Sequence, residues 1–290
     1  MVSVITLTYN RASMIEETIR SVLAQEHGGF EYLIADDGSE DDTEEVVRRF
    51  TDSRIRYFRL PHTGRISALR NFCIEKAKGE WIAFLDSDDV WEADKTRLQM
   101  EALGKNPQAG FVFSDVVLSS GPSTKKMTTS SERFTPSSPQ QFFLPMISNR
   151  LAIYPSSLMF RKECIHKTGP FNEGMIGGDM DFMTRLAYHF LGLLLPGSPV
   201  TVKMHDQNHS SAYVVEAHQE CIETLNYFQE RRAIGHLLYR KVTAFHHRCM
   251  AERYLEQGIP QKAKSHFARS LLLNPAGLKS AAGLFRVLFR

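Results

Sequence analysis

The central stretch of the sequence reads Trp81-Ile82-Ala83-Phe84-Leu85-Asp86-Ser87-Asp88-Asp89. Its five apolar residues are typical of a strand that is buried on both faces, as in a parallel sheet. The carboxylates then fall at the carboxyl end of that strand, which is where open α/β sheets bind their ligands. The stretch therefore predicts both a fold class and the edge of the sheet at which a site would lie.

Asp86 and Asp88 are two positions apart, so their side chains point the same way in an extended chain. Like charges at that spacing raise each other's pKa unless a cation or an array of donors lies between them. A hard divalent ion that also carries phosphate oxygens meets this requirement. We interpret the stretch as an Asp-x-Asp site for a metal ion and a diphosphate. The alternative is a solvated turn whose acids cap a helix.

Apolar strands and amphipathic helices alternate around this stretch. Residues 2–7 and 32–35 are short apolar strands, and the second runs into Asp36-Asp37-Gly38-Ser39. Further strands are expected at 54–60 and 110–118, with helices between successive strands. This βαβαβαβαβ order predicts an α/β fold, a doubly wound and mostly parallel sheet with right-handed crossovers.

Composition excludes several classes of protein. The 290 residues are 42% hydrophobic and 23% charged, which is ordinary for a globular chain. A net charge of +2 gives no general electrostatic case for binding nucleic acid. The four cysteines have no CxxC spacing, which favours thiols in a reducing cytosol over disulfides or zinc. The first residues do not resemble a signal peptide, and no apolar run is long enough to span a membrane.

The second half of the chain changes character twice. Residues 119–141 are rich in Ser, Thr and Pro and predict a mobile loop, either a surface linker or a flap over an acceptor site. From about residue 211 the chain reads as helices. Residues 251–275 alternate small and large apolar side chains at the spacing of one tetratricopeptide unit, which predicts a helical hairpin.

The predicted domains are 1–210, with halves at about 1–118 and 119–210, and a helical C-terminal extension at 211–290. The last residues, 277–290, combine Leu and Phe with Lys and Arg. This pattern predicts a helix that lies on a membrane surface, docks on its own protein or contacts a second copy in a homodimer.

Four motifs occur in the order Thr8-Tyr9-Asn10-Arg11, Ala35–Ser39, Gly64 to Arg70-Asn71, and Gly79–Asp89. With this set, the chain resembles the family-2 glycosyltransferases, which have the GT-A fold. The resemblance extends from residue 2 to about residue 211, and the helical tail also looks like tails seen on some members. Leu7 and Gly178 depart from the family pattern, which usually has Pro and Glu there.

The resemblance implies an enzyme that moves a sugar from a nucleoside diphosphate, typically UDP, to a hydroxyl group and inverts the anomeric centre. The acceptor would be a saccharide, a lipid-linked molecule or a protein, as in the synthesis of cell-surface polysaccharide or glycolipid. The expected location is the cytoplasm, at the inner face of the membrane if the C-terminal helix binds lipid.

The resemblance also implies roles for individual residues. The donor-binding residues would be Thr8, Tyr9, Arg11, Asp37, Gly64, Arg70, Asp86 and Ser87. The ligands of Mn²⁺ or Mg²⁺ would be Asp88, Asp86 and His205. Asp179 would be the catalytic base that takes the proton of the acceptor hydroxyl, with Asp181 as the second candidate.

Structural roles are the alternatives at several of these positions. Asp36 could equally be a structural acceptor at the strand end, and Asp37 is preferred as the contact to the base only through the resemblance. Asp179 and Asp181 would be ordinary acids in the first turn of a helix, where the helix dipole favours them. His205 and His209 would be surface residues.

Two other functions would suit a sheet with acids at its edge. A nucleotidyltransferase usually carries a Gly-rich, basic loop after its first strand, and residues 8–13 offer none. A degenerate transferase domain that serves as a scaffold is favoured only by Gly178.

Overall fold

The structure is a computed structural model that describes residues 1–120, 123–127, 141–197, 199–205 and 213–288. The chain divides into two compact units. Unit 1 comprises Met1–Leu144 and Leu151–His205, and unit 2 comprises Pro145–Arg150 and Asp206–Arg290, each as far as it is described. Unit 2 therefore includes a short segment from the middle of the chain as well as its C-terminal part.

The strands all lie in unit 1. They are β1 (Val2–Thr8), β2 (Phe30–Asp36), β3 (Ile55–Arg59), β4 (Trp81–Phe84), β5 (Val90–Trp91), β6 (Ala109–Ser114), β7 (Val116–Ser120), β8 (Ser123–Met127), β9 (Met159–Arg161), β10 (Leu191–Leu195) and β11 (Val200–Lys203).

The helices follow in two groups. Unit 1 contains α1 (Ile15–Leu23), α2 (Thr43–Arg48), α3 (Ile66–Lys76), α4 (Lys95–Lys105), α6 (Ile165–Thr168) and α7 (Asp179–His189), and α5 (Phe143–Ile147) lies at a boundary between the units. Unit 2 contains α8 (Val214–Glu230), α9 (His236–Glu256), α10 (Pro260–Leu273) and α11 (Leu278–Leu288). In the described part of the chain, no helix is both long and apolar enough to cross a membrane.

Seven strands form the central sheet in the order β10-β6-β9-β4-β1-β2-β3. The pairs β3–β2, β2–β1, β1–β4 and β6–β10 are parallel. The mostly parallel sheet predicted from the sequence is thus confirmed. β9 is the exception, because it runs antiparallel to both of its neighbours, β4 and β6.

A second sheet has the order β5-β11-β7-β8. The sequence predicts one strand over 110–118, but the structure divides it at Asp115 into β6 and β7, which belong to different sheets. Residues 123–127, predicted as loop, pair with β7 as β8. The remainder of that predicted loop, at 121–122 and 128–140, lies outside the described residues.

The core of unit 1 explains why β4 has no polar residue. All four of its residues are buried, as are the seven of β2, because helices cover both faces of a parallel sheet. On α1, Ile15, Ile19 and Val22 are fully buried and recur at the spacing of one helix face. Since β1, β2 and β4 are parallel, the loops that follow them lie at one edge of the sheet.

Candidate active site

Asp36 ends β2 in a fully buried position. The backbone N–H of Ser39 donates to its Oδ1 at 2.7 Å, and the Tyr57 hydroxyl donates to its Oδ2 at 2.5 Å. Burial and the neighbouring carboxylate raise the pKa of Tyr57, so this hydroxyl keeps its proton. Both oxygens of Asp36 are therefore used to hold the loop and β3, which is the structural role left open by the sequence.

Asp37 anchors a different loop. The backbone N–H groups of Thr63 and Gly64 donate to its Oδ1 and Oδ2 at 2.9 and 2.8 Å. His62 Nδ1 lies 3.0 Å from Oδ2. Gly64 has a φ of 64°, in the left-handed region that favours glycine. The buried carboxylate thus fixes residues 62–64 at the edge of the sheet.

The rings of Tyr9 and His62 stack above this loop. Their centroids are 4.2 Å apart and their planes differ by 21°. Both side chains are substantially exposed, Tyr9 at 36%. The pair therefore presents a flat aromatic surface to solvent beside Asp37.

The loop after β1 is fastened to the loop after β2. Thr8, the last residue of β1, is buried. Asn10 has a φ of 51°, and its N–H donates to Ser39 Oγ at 2.9 Å. The N–H of Arg11 donates to Thr43 Oγ1 at 2.8 Å. These bonds hold Thr8, Tyr9 and Arg11 beside the Asp37 loop.

Asp86–Asp89, here called the acid turn, follows β4. The turn is closed by the N–H of Asp89, which donates to the Asp86 carbonyl at 3.0 Å. Thr18 Oγ1 lies 3.0 Å from the Ser87 carbonyl and 2.8 Å from that of Asp89. Ser156 Oγ accepts from the Asp86 N–H at 3.1 Å and donates to Asp89 Oδ2 at 2.5 Å. Two distant residues therefore set the shape of the acid turn.

The acid turn strongly perturbs its own carboxyl groups. Loss of hydration raises the pKa of Asp86 to about 7; Arg70 opposes the shift, and Asp88 and Asp179 add to it. Loss of hydration also raises the pKa of Asp89 to about 8, with further contributions from Asp86 and Asp88. Without a compensating cation, the two groups tend to keep protons near neutral pH.

Asp88 contacts His205. Nε2 of the imidazole lies 2.9 Å from Asp88 Oδ2, and the two side chains are 24% and 11% exposed. Among residues with described positions, no three His, Cys, Asp or Glu side chains form a metal-holding group. Asp88 and His205 thus form a pair at this point, and Asp86 lies close enough to interact with Asp88 electrostatically. His209 lies outside the described residues.

Asp179 begins α7 and forms an ion pair with Arg70. The Arg70 side chain is 4% exposed, whereas that of Asp179 is 33% exposed. Arg70 Nη1 also donates to the Gly177 carbonyl at 3.0 Å, and its guanidinium lies 5.3 Å from the ring centroids of Phe84 and Phe171. A buried, well-held arginine thus positions a carboxylate that is partly open to solvent.

Asp181 is held differently. It forms an ion pair with Arg185, and both side chains are 7% exposed. Arg185 Nη2 also donates to the Pro170 carbonyl at 3.0 Å. The two acids of the first turn of α7 therefore point to different environments, and only Asp179 is accessible.

The N-terminal part of the chain matches a known protein family. A family model described as "Glycosyl transferase family 2" matches residues 3–166. The chain belongs to this family of glycosyltransferases. The membership and the enzymatic class expected from the four motifs are thereby confirmed, and the nucleotidyltransferase alternative is set aside.

Two curated relatives of this glycosyltransferase match about a third of its length. A putative teichuronic acid biosynthesis glycosyltransferase, TuaG of Bacillus subtilis, is 42% identical over 103 residues, which are 35% of this chain and 41% of the relative. The Escherichia coli UDP-Glc:alpha-D-GlcNAc-diphosphoundecaprenol beta-1,3-glucosyltransferase WfgD is 40% identical over 106 residues, 37% of this chain and 42% of the relative. The match thus spans only about two fifths of either relative.

Solved structures show that the fold of this glycosyltransferase is GT-A, as expected. S. aureus TarS 1-349 in complex with UDP-GlcNAc has a TM-score of 0.69 at 19% identity, covering 99% of this chain and 90% of that one. The mannosyltransferase PcManGT from Pyrobaculum calidifontis, in complex with GDP-Man and Mn²⁺, has a TM-score of 0.60 at 19% identity, covering 100% and 81%.

The departure of this glycosyltransferase at Gly178 has a local steric reason. Gly178 caps α7 with a φ of 66°, in the left-handed region. A Cβ on this residue would lie 2.7 Å from Ser67 Oγ. Neither the backbone nor the space therefore suits a glutamate at this position, so its replacement by glycine does not indicate a degenerate site.

Three contributors to the site of this glycosyltransferase are not predicted from its motifs. For His62, the position two residues before Gly64 of the third motif is a usable signal. Ser156 is 70 positions from Asp86 and Thr18 is 69 from Ser87, so no local pattern connects either with the acid turn.

Proposed function

We propose that this glycosyltransferase takes its sugar from a UDP-linked donor, uses a divalent cation, and transfers the sugar with inversion to a hydroxyl group. The observation that carries the proposal is the acid turn, which lies at the carboxyl end of β4 and in which the charges of Asp88 and Asp179 both act on Asp86. Two similar proteins support UDP as the nucleotide of the donor: WfgD, whose name contains UDP-Glc, and TarS, whose structure contains UDP-GlcNAc. The GDP-Man complex of PcManGT supports only the broader statement that the donor is a nucleotide sugar.

The uracil base would bind at the edge formed by β1 and β2. The Tyr9–His62 stack offers an aromatic face of the kind on which a base packs. Asp37 lies beside that face. Its carboxylate already accepts from the N–H groups of Thr63 and Gly64 and from the Thr63 hydroxyl, so of the about four bonds that a carboxylate can accept, the one now near His62 Nδ1 would be left for the base. Thr8, Arg11 and Gly64 would complete this part of the site by holding the loops.

Asp88, His205 and Asp86 would hold Mn²⁺ or Mg²⁺. Their oxygen and nitrogen atoms suit such an ion, and substrate phosphates would supply further ligands. When bound, the ion would supply a Lewis acid for the charge that develops on the leaving diphosphate. Ser87 lies between the two acids, and Arg70 adds a buried positive charge to the same region.

Asp179 would accept the proton of the acceptor hydroxyl as that oxygen attacks the sugar. Its partial exposure allows an acceptor to approach, and the Arg70 ion pair fixes its position. Asp181 would have a structural role, because Arg185 already compensates its buried charge.

The proposed acceptor is a saccharide or a lipid-linked sugar in cell-surface polysaccharide or glycolipid synthesis; a protein hydroxyl is the further alternative. The names of TuaG and WfgD support the first two. The proposed setting is the cytoplasm, and the unpaired thiols of Cys73, Cys164, Cys221 and Cys249 are compatible with a reducing compartment.

The test combines donor binding with turnover. Binding of UDP-sugars is measured by calorimetry with Mn²⁺ or with EDTA, and turnover by release of UDP. Asp179→Asn should keep donor binding but lower turnover by about 10² to 10⁴, the usual contribution of a general base. Asp88→Asn should lose the effect of Mn²⁺ on donor binding.

Asp42→Asn is the matched control, since Asp42 is exposed and makes no capping hydrogen bond. It should behave as the wild type in both assays. Turnover by Asp179→Asn within a factor of a few of wild type would reject the base assignment. Tighter binding of a GDP-sugar than of any UDP-sugar would reject the proposed nucleotide.

A further inference from the structure

The C-terminal helix α11 has two apolar faces, and one of them is already packed. Ser280 and Gly283 are buried. A Cβ on Gly283 would lie 2.3 Å from the ring of Phe267, so helix and ring are in close contact. Leu284 and Val287 pack against the same small core in unit 2. The helix is therefore docked on its own unit through this face.

The opposite face of α11 is apolar and exposed. Leu278 is 84% exposed, Phe285 61% and Leu288 50%. Ala281 and Ala282, both exposed, lie on the same side of the helix as these three residues. Viewed down the helix axis, the five positions fall within a sector of about 120°. The residues Leu278, Ala281, Ala282, Phe285 and Leu288 define this surface, which is here called the exposed stripe.

The C-terminal part of the chain, which carries the exposed stripe, has charge of one sign. From Gln257 to Arg290 the sequence contains six Lys and Arg residues and no Asp or Glu, although the whole chain has a net charge of only +2. The basic residues with described side chains are Lys262, Lys264, Arg269, Lys279 and Arg286, and all are exposed. None of these five forms an ion pair with another described residue.

An exposed apolar face flanked by basic side chains fits an anionic lipid surface. Leu and Phe enter the boundary between headgroups and acyl chains, while Lys and Arg bind lipid phosphates. A symmetric contact with a second copy would bring two basic tails together, and like charges oppose that arrangement. We propose that the exposed stripe of α11 seats this chain on an anionic membrane surface.

The proposal concerns binding alone and does not depend on the donor or the metal. Its test is sedimentation of the full chain with vesicles of phosphatidylcholine, with and without phosphatidylglycerol. Binding should require phosphatidylglycerol and weaken as salt is raised. Lys279→Gln/Arg286→Gln should weaken partition roughly thirtyfold at low salt, the effect expected for two basic residues at an anionic surface. Since both side chains are exposed, this variant should fold normally.

The apolar contribution is tested with Leu278→Ser/Phe285→Ser/Leu288→Ser. This variant should lose binding by more than tenfold, because three large apolar side chains no longer enter the lipid. Leu237→Ser is the matched control: Leu237 is 80% exposed but lies on α9, outside the exposed stripe, and its loss should change nothing. Circular dichroism checks that each variant keeps its helices.

Three results would overturn the proposal. The first is no sedimentation with phosphatidylglycerol vesicles. The second is equal sedimentation of wild type and triple variant. The third is a homodimer in sedimentation velocity that the triple variant abolishes, because the occupant of the exposed stripe would then be a second copy.

Discussion

Replacing Gly178 by alanine changes the residue that caps the helix carrying Asp179. An alanine in the left-handed conformation of Gly178 is destabilised by about 1–2 kcal/mol. Its Cβ would also lie 2.7 Å from Ser67 Oγ. Ser67 is fully buried and donates to the Gly177 carbonyl at 3.1 Å, so moving it away sacrifices a hydrogen bond worth about 1 kcal/mol. We expect Gly178→Ala to lower the free energy of unfolding of unit 1 by about 2–3 kcal/mol.

Tryptophan fluorescence during urea unfolding measures this free energy. Both tryptophans of the chain, Trp81 and Trp91, belong to unit 1, so the signal does not report unfolding of unit 2. The turnover number should fall by about one to two orders of magnitude, because a shift of Asp179 by a fraction of an ångström misplaces the proposed base.

Two controls separate the strain from a general effect of alanine. Gly104 lies in α4, and no atom lies within 4 Å of the position that a Cβ on it would occupy, so Gly104→Ala should raise the free energy of unfolding by about 0.5–1 kcal/mol. Ser67→Ala combined with Gly178→Ala should be less destabilising than the sum of the two changes by about 1 kcal/mol. A loss below about 0.5 kcal/mol in Gly178→Ala, or strict additivity with Ser67→Ala, would refute the steric argument.

Three further predictions concern buried charges. Lys95 is fully buried, and its Nζ has no hydrogen-bond partner among the described residues. Because burying such a polar group destabilises the fold, Lys95→Met should raise the free energy of unfolding in urea by about 1 kcal/mol. A decrease would contradict this prediction. Because the pKa values of Asp86 and Asp89 are raised in the folded state, the fluorescence-detected stability in EDTA should fall as pH rises from about 4 to about 8. The pKa of His246 is lowered to about 3, so the amide-exchange protection of α9, the helix of unit 2 that carries His246, should instead fall as pH drops below about 6.5. Parallel pH profiles of the two measurements would reject this contrast. Asp181→Asn removes the ion-pair partner of the buried Arg185 and should lower the free energy of unfolding by about 3 kcal/mol. The turnover of the folded fraction should change little. A loss of turnover without a loss of stability would make Asp181 part of the chemistry.

The parallel core of the sheet could be predicted because its signals are local. Apolar runs such as 81–85 and the acids that follow them are contiguous in sequence, and the helices between strands impose parallel order. The position of β9 could not be predicted in this way, because strand neighbours are chosen by tertiary packing. The division of 110–118 at Asp115 has the same origin, since β6 and β7 pair with different strands.

The candidate site was predictable to the level of residue types. Asp179 and Asp181 are two positions apart on a helix and therefore differ by about 200° in direction, so the sequence indicates that they face different surroundings. The i,i+4 spacing of Asp181 and Arg185 indicates that ion pair, whereas the partner of Asp179 is Arg70, which is 109 positions away and gives no local signal. The contributions of Thr18 and Ser156 were hidden for the same reason.

The insertion of β9 between β4 and β6 also bears on how the chain is made. A nascent chain that has emerged from the ribosome only as far as residue 114 contains β4 and β6 but not the strand that joins them. It also lacks Ser156, which holds the acid turn from 70 positions downstream. The joining of β4 to β6 through β9 must therefore follow synthesis of the segment up to Arg161, and such long-range pairing makes folding slow and leaves strand edges open to aggregation in the interval.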